Sequence, residues 1–461
     1  MDHAMPDDRA GLRRGVYWLL IAVSVGAMLG RILSLDAVNK PDRAKRPFLS
    51  ANDRSRWCTV RALVEPEMRV DGEPYAIDKV IQQPNWDTID MVKHNGHLYS
   101  SKPPLWPTLM AAVYWPIYRC TGATLGTHPY EIGRAMLVVF NLIPLVVYFA
   151  LLAGLIERFG TTDWGRIFAM AAASFGTYLT TFVVTINNHL PAAVCAAAVV
   201  YAAMRIWFDD ERRLRYFAVV GLFGSLAVVN EFTAAALLAP LALLLAWRSV
   251  RATVLGFLPL VALVAAAFFA TNQVAVGTWE PAYLHRTGPD NWYDYTYQRR
   301  GRTIESYWRN PVGVDRGEPS KQRYAMNVLV GHHGVFSLTP IWLLSAVGLM
   351  LWLFQRQDVR LRWIAACILA ISAACLTFYI TQPEINRNYG GVACGLRWLF
   401  WMTPLWLLAM LPTLDLLAAR RWTRGLALVL LVFSVLSVSY PTWNPWTPPW
   451  LMVFAQYLGW A

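Results

Sequence analysis

The side chains that invite a chemical reading in this chain lie beside apolar runs of about 20 residues. Asp53 stands in the stretch Ser50-Ala51-Asn52-Asp53-Arg54-Ser55-Arg56-Trp57, and Trp57, Val60, Leu63 and Val64 follow at helical spacing. That pattern predicts a short amphipathic helix lying on a membrane surface. An aspartate at its start is either an N-cap or a carboxylate held at the interface as general base toward an acceptor hydroxyl or amine. Lys102 precedes Pro103-Pro104. The prolines suit the first turn of a helix, while a compact ammonium at the lip of an apolar segment can hold a phosphate at headgroup depth. Arg397 follows Gly390, Gly391 and Gly395 at the mouth of another apolar run. Its planar guanidinium suits bidentate phosphate binding, with snorkelling from a helix end as the plainer alternative.

Further candidates are set by context. Asn187-Asn188-His189-Leu190-Pro191 separates two apolar runs and reads as a turn with a helix cap, which makes Asn188 and His189 possible substrate contacts. Glu231 follows Asn230 between two apolar runs with no basic residue nearby in sequence. A carboxylate at such depth is costly, so it is either functional or exposed at the turn. Asp87 and Asp90 supply more carboxylates in Asn85-Trp86-Asp87-Thr88-Ile89-Asp90. His332 and His333 open a late helix; adjacent histidines point in different directions, so a two-histidine metal site is rejected and hydrogen bonding to phosphate or sugar is kept. Another stretch interleaves Trp279, Tyr283, Trp292, Tyr293, Tyr295, Tyr297, Tyr307 and Trp308 with Arg286, Arg299, Arg300 and Arg302. It reads as an interfacial aromatic belt or as a sugar or lipid-phosphate surface. Cys58, Cys120, Cys195, Cys367, Cys375 and Cys394 show no CxxC spacing and imply neither a metal site nor a disulfide framework.

The elements that must position these residues follow from composition. Of 461 residues 56% are hydrophobic and only 15% charged, where soluble domains carry roughly 25% charged residues. The chain is therefore an all-α polytopic membrane protein, and a secreted domain, a disordered chain and a nucleic-acid partner are excluded. The net charge of +12 sits mostly in short loops at helix ends, as the positive-inside rule requires. Arg9, Arg13 and Arg14 precede a run from Gly15 to Leu35 that lacks a small-residue cleavage site, which reads as an uncleaved signal anchor with a cytoplasmic N-terminus. Further spans are expected at 132–156, 164–186, 189–208, 215–230, 232–247, 252–275, 335–355, 362–380, 397–416 and 424–440. If 103–119 also crossed, the basic loops at 157–166, 205–215, 248–251, 356–362 and 420–424 would all face outside. Treated as re-entrant or juxtamembrane, it leaves them inside, giving about 11 transmembrane helices and an outer C-terminal tail.

The divisions are then a signal-anchor helix at 1–35, a first periplasmic loop at 36–131, spans within 132–275, a second large loop at 276–334, spans within 335–440 and an aromatic interfacial tail at 441–461. The candidate residues gather on the outer face, so an inner (plasma) membrane protein with a site facing the periplasm is expected.

Asp53 early in the first loop, followed by Tyr99-Ser100-Ser101-Lys102-Pro103-Pro104-Leu105 and many spans, resembles the GT-C membrane glycosyltransferases. The branch is the one related to protein O-mannosyltransferases and lipid A aminoarabinose transferases. The resemblance extends to Gly331-His332-His333-Gly334-Val335-Phe336-Ser337-Leu338-Thr339-Pro340 and to Asn388-Tyr389-Gly390-Gly391 with Gly395-Leu396-Arg397-Trp398. It implies a GT-C-like fold and transfer of a sugar from a polyprenyl-phosphate donor to an acceptor glycan, lipid or protein on the outer face; a single displacement at the anomeric carbon would give inversion. It matches Asp53 to the catalytic first-loop acid and Lys102 to the lysine near the donor phosphate, which Arg397 would join. Many relatives carry an Asp-Glu pair, whereas Asp53 stands between Asn52 and Arg54; a second carboxylate would come from Asp87, Asp90 or elsewhere, and a divalent cation stays an open requirement. Two alternatives accompany this reading: a lipid-linked saccharide transporter or flippase, and a non-catalytic relative that binds lipid-linked sugar.

Overall fold

The computed structural model describes residues 8–35 and 48–460. Residues 1–7 of the expected anchor, 36–47 of the expected first loop, Ala461 of the tail and the side chain of Arg9 lie outside the described residues. In chain order the main elements are α1 (Asp8–Leu33), α2 (Ala51–Val64), the hairpin β1 (Met91–His94) and β2 (His97–Ser100), and α3 (Leu105–Thr121). Next come α4 (Pro129–Phe159), α5 (Asp163–Phe175), α6 (His189–Phe208), α7 (Leu214–Asn230), α8 (Phe232–Arg248) and α9 (Val250–Val276). A second hairpin, β3 (Thr296–Arg299) and β4 (Arg302–Glu305), leads to α10 (Lys321–Leu329), α11 (Trp342–Phe354), α12 (Val359–Thr381), α13 (Arg397–Leu417), α14 (Arg421–Ser439) and α15 (Trp450–Tyr457).

Among the described residues seven helices, α1, α4, α6, α9, α12, α13 and α14, are long and apolar enough to cross a membrane, and α7, α8 and α11 are shorter apolar helices. Leu243, Trp247, Leu263 and Val429 are exposed on their flanks. Such surfaces suit hydrocarbon rather than water, and the protein is a multi-pass helical membrane protein. The helix α6 is the centre of the bundle, with 83% of its apolar window buried. Its small residues, Ala192, Ala193, Ala196 and Ala197 among them, are fully buried and let neighbouring backbones approach closely. Gly348 plays the same part where α11 crosses α13, since a Cβ there would lie 1.9 Å from the Ala409 carbonyl oxygen.

Two expected spans are broken. The run 164–186 is helical only to Phe175, about 20 Å at 1.5 Å per residue; it ends at Gly176 and resumes as a short 3-10 turn over Thr181–Val184. The freed backbone groups are satisfied by side chains, as irregular backbone buried among helices requires. Asn141 Nδ2 donates to the carbonyls of Val183 and Thr185, and Asn187 Nδ2 to those of Phe182 and Thr185. The run 335–355 forms one turn, Val335–Leu338, and restarts at Trp342 beyond Pro340, whose ring cannot continue a helical ladder.

At one end of the bundle, Arg13 donates to Glu157 at 2.7 Å and also pairs with Asp163, while Tyr17 Oη donates to Glu157 at 2.7 Å. Asp415 accepts from the backbone N–H groups of Thr161 and Thr162, each at 2.8 Å. The helices α1, α4, α5 and α13 are tied together there. At the other end the two hairpins, α2 and α3 cover the bundle, and one large cavity opens beneath them.

Candidate functional site

The cap of α2 is Ser50, whose Oγ accepts from the Asp53 backbone N–H at 3.0 Å. Asp53 lies in the first turn, at the helix start that the sequence predicts, and of its two alternative readings the N-cap is excluded because Ser50 holds that place. The expected membrane-surface helix is corrected: the helix is enclosed, with Asp53, Arg56, Trp57 and Val60 among its buried residues. The pattern of Trp57, Val60, Leu63 and Val64 marks one packed face, but the polar face is also covered, by the loop at 87–90 and the segment at 185–188. Asp53 is 1% exposed. Its Oδ1 accepts from Trp57 Nε1 at 2.8 Å and from the Ile186 N–H at 3.1 Å, so it also satisfies the broken segment after α5. Burial outweighs these hydrogen bonds and pushes its carboxyl up to about 6.

The cavity has a volume of about 1760 Å³, and its described lining includes Asn52, Arg54 and Arg56 while passing over Asp53. Its polar end is assembled from five separate parts of the chain. The first hairpin turns at Asn95-Gly96, both with positive φ, the residue pair that a tight two-residue hairpin favours. Its register pairs Met91 with Ser100, which sets Asp90 beside Ser101, whose N–H donates to the Asp90 carbonyl at 3.1 Å. Lys102 then reaches Asp90 Oδ1 at 3.1 Å. Burial lowers the Lys102 pKa, and Asp90 opposes that shift.

Arg56 and Arg397 are held differently, each by a neutral side chain that leads to Glu231. Arg56 donates from Nη1 to Asn52 Oδ1 at 2.6 Å and from Nη2 to Asn188 Oδ1 at 2.9 Å. Asn188 Nδ2 in turn donates to Glu231 Oε1 at 2.6 Å. Arg397 Nη1 donates to His189 Nε2 at 2.8 Å, which leaves Nδ1 to carry the ring proton toward Glu231 Oε1. The Arg397 Nε donates to the Gly390 carbonyl at 2.8 Å, and the guanidinium lies 4.7 Å from the Trp446 ring centroid. Burial lowers the Arg56 pKa to about 10, with Asp53 the first of the nearby charges opposing the shift, so the group stays charged at neutral pH.

Of the residues singled out from sequence, Asp87, Asp90, Lys102, Asn188, His189, Glu231 and Arg397 all line this cavity. Asp87 also pairs with Arg299 at 3.1 Å. His332 and His333 do not join the wall formed by the described residues. They pack on Tyr389, with centroid distances of 5.0 and 4.6 Å, and so buttress the turn that presents the Gly390 carbonyl to Arg397. Tyr389, Gly390 and Gly391 all have positive φ; a Cβ on Gly390 would come within 3.1 Å of Arg397 Nε, so glycine is required there. Arg56 and Asp315 also line the cavity and were not singled out. For Arg56 the available signal was its position three residues after Asp53, one helical turn along the same face.

The other end of the cavity is apolar, formed by Leu226, Val229, Leu238, Val261, Phe268 and Phe378 from α7, α8, α9 and α12. The six cysteines are free. Among the described residues no three His, Cys, Asp or Glu side chains converge as a metal site.

No protein-family model matches the chain, and no curated protein matches it. Among solved structures it is similar to the oligosaccharyltransferase of Archaeoglobus fulgidus. For the complex with zinc and sulfate the TM-score is 0.48 at 12% identity, covering 92% of this chain and 53% of that one. For the apo form the values are 0.48, 10%, 94% and 56%. For AglB from the same organism with an inhibitory peptide and a dolichol-phosphate they are 0.41, 11%, 94% and 56%. The chain spans about half the length of these structures. The similarity is remote.

Proposed function

We propose that the protein is an inner-membrane GT-C-type glycosyltransferase that moves a sugar from a polyprenyl-phosphate donor to an acceptor on the periplasmic face. The observation that carries this reading is the cavity's two-ended chemistry. Arg56, Lys102 and Arg397 stand at one end and an apolar channel among α7, α8, α9 and α12 at the other. An amphiphile with an anionic head and a long hydrocarbon tail fits both ends at once.

In this scheme the acceptor attacks the anomeric carbon, the bond to the lipid phosphate breaks, and the three cations stabilise the charge that collects on the leaving phosphate. One displacement gives inversion. The base in the first reading is Asp53, whose raised pKa suits proton transfer near neutrality; this reading requires the wall at Asn52, Arg54 and Arg56 to open to it when the acceptor binds. Asp90 is the second reading, favoured by its direct place on the cavity wall. Glu231 orients Arg56 and Arg397 through Asn188 and His189.

The test uses the purified full-length protein in lipid nanodiscs supplied with polyprenyl-phosphate sugars and membrane-derived acceptors, read by mass spectrometry. Transfer of sugar with release of polyprenyl phosphate supports the reading. Binding of the donor without turnover would leave a sugar-lipid-binding protein, and movement of intact donor between leaflets would make it a transporter.

A further inference from the structure

The lining of the same cavity holds another cation besides Arg56, Lys102 and Arg397: Arg286, contributed by the loop between α9 and β3. Its guanidinium lies 4.5 Å from the Trp308 ring centroid and 5.9 Å from that of Tyr293. Trp308 is itself fixed, donating from Nε1 to the Ile89 carbonyl at 2.8 Å. Its neighbour His285 stacks on Trp292 at 3.8 Å, and Trp292 stacks on His94 of the first hairpin at 3.9 Å. The cation is thus held by aromatic faces and loop docking, which fix a guanidinium's plane without using its hydrogen-bonding edge.

That edge is unspent. Nε and Nη2 are buried without a hydrogen-bond partner among the described residues, and Nη1 meets only Asn386 Oδ1 at 3.4 Å. Asp90 and Asp315 act on Arg286 electrostatically, yet neither forms an ion pair with it. Asp90 is engaged by Lys102 at 3.1 Å, and Asp315 accepts from Tyr307 Oη at 2.9 Å. A buried N–H group without a partner is costly. The paired Nε and Nη2 donors match the two oxygens of a carboxylate or phosphate.

We propose that Arg286 binds a second oxyanion, a phosphate or carboxylate group, brought into the cavity beside the lipid phosphate. This rests on the glycosyltransferase reading for the place of the first phosphate. The oxyanion has two possible sources, the second phosphate of a diphosphate-linked donor or an acidic group on the acceptor. In either case Arg286 sets which substrate is taken.

The experiment measures binding of a polyprenyl monophosphate and the matching polyprenyl diphosphate to the full-length protein in nanodiscs by native mass spectrometry. Inorganic phosphate is then added, with and without saturating monophosphate, and thermal stability is followed. Arg286→Gln and Arg286→Lys are compared with the parental protein. If the donor is the source, the diphosphate binds about tenfold or more tightly than the monophosphate, and Arg286→Gln erases the difference while monophosphate affinity holds within about twofold. If the acceptor is the source, the two lipids bind alike, and inorganic phosphate stabilises the monophosphate-loaded parental protein but not Arg286→Gln. In both cases Arg286→Lys, which keeps the charge and loses the fork, falls between. Parental protein that gains nothing from either second anion, or an Arg286→Gln variant that keeps the gain, overturns the proposal. Failure of the monophosphate to bind the parental protein strikes the glycosyltransferase reading instead, and the lipid-free phosphate arm still decides on Arg286.

Discussion

Arg13 at one end of the bundle and Arg56 and Arg397 at the other are held in opposite ways. At the Arg13 end the guanidinium meets its counter-charges directly, Glu157 at 2.7 Å and Asp163 beside it, and the result is a tie between helices. At the cavity end Arg56 and Arg397 reach Glu231 only through Asn188 and His189. Carboxylates take the Nε, Nη1 and Nη2 donors of Arg13 together, whereas a neutral bridge fixes a guanidinium's direction and leaves its charge for a ligand. Position and availability are thereby separated, which is what a binding site for an anion needs.

The largest expected effect concerns topology, since the two ends must lie on opposite sides of a membrane. A reporter fused after Arg213 should be cytoplasmic and one fused after Arg302 should be outside; both on one side would dismantle the proposed site. Next in size is Asp53→Asn, which keeps an oxygen for Trp57 and Ile186 but cannot take a proton. Transfer should fall about 10²- to 10⁴-fold while donor binding persists. Near-parental transfer in this variant, with collapse in Asp90→Asn, would move the base to Asp90. The pH profile adds a second reading of the same point. Ionised Asp53 is the active form, so transfer should decline as the pH drops below about 6. Stability runs the other way, because a carboxyl raised from 3.8 to about 6 favours the folded state when protonated and loses that contribution as the pH rises through this window.

Smaller effects sharpen the contrast. Lys102→Ala and Arg397→Ala should each weaken donor binding by about 1.5–3 kcal/mol, roughly ten- to a hundredfold, as expected for a lost charge-assisted hydrogen bond. Unchanged affinity in both would remove the phosphate site. Glu231→Gln retains acceptors for Asn188 and His189 but not the charge, so it should cost about tenfold or less in donor affinity. The same loss in Glu231→Gln as in Arg397→Ala would mean that the carboxylate is a direct ligand rather than an orienting group. Smallest for transfer is Arg13→Met, expected to leave it within about twofold while lowering thermal stability by roughly 1–3 kcal/mol. A matching fall in activity at constant fold would show that the tie is coupled to the site.

Much of this was legible one segment at a time. The helices α6, α7, α9 and α12 fall close to their expected bounds, because a long apolar run between charged loops has few other ways to satisfy its backbone in lipid. Lys102, Glu231 and Arg397 could be picked out because each is a charge that its immediate apolar context does not explain. The same local logic failed at α2, where polar residues predicted an exposed face that the outer loops in fact cover, and at 164–186, where apolar composition predicted a continuous helix.

Hydropathy and spacing along the chain were enough for a helical membrane protein, the bounds of α6, α7, α9 and α12 and a short set of charged residues without local justification. Packing across the bundle set which of those residues meet. It joined Arg56 to Asn188, Asn188 and His189 to Glu231, and His189 to Arg397, put Asp53 behind the wall and turned His332 and His333 toward Tyr389. The physical reason is one of range. Hydropathy and periodicity act between neighbours along the chain, while a buried charge takes whichever partner packing brings across the bundle, and no spacing within one segment encodes that choice.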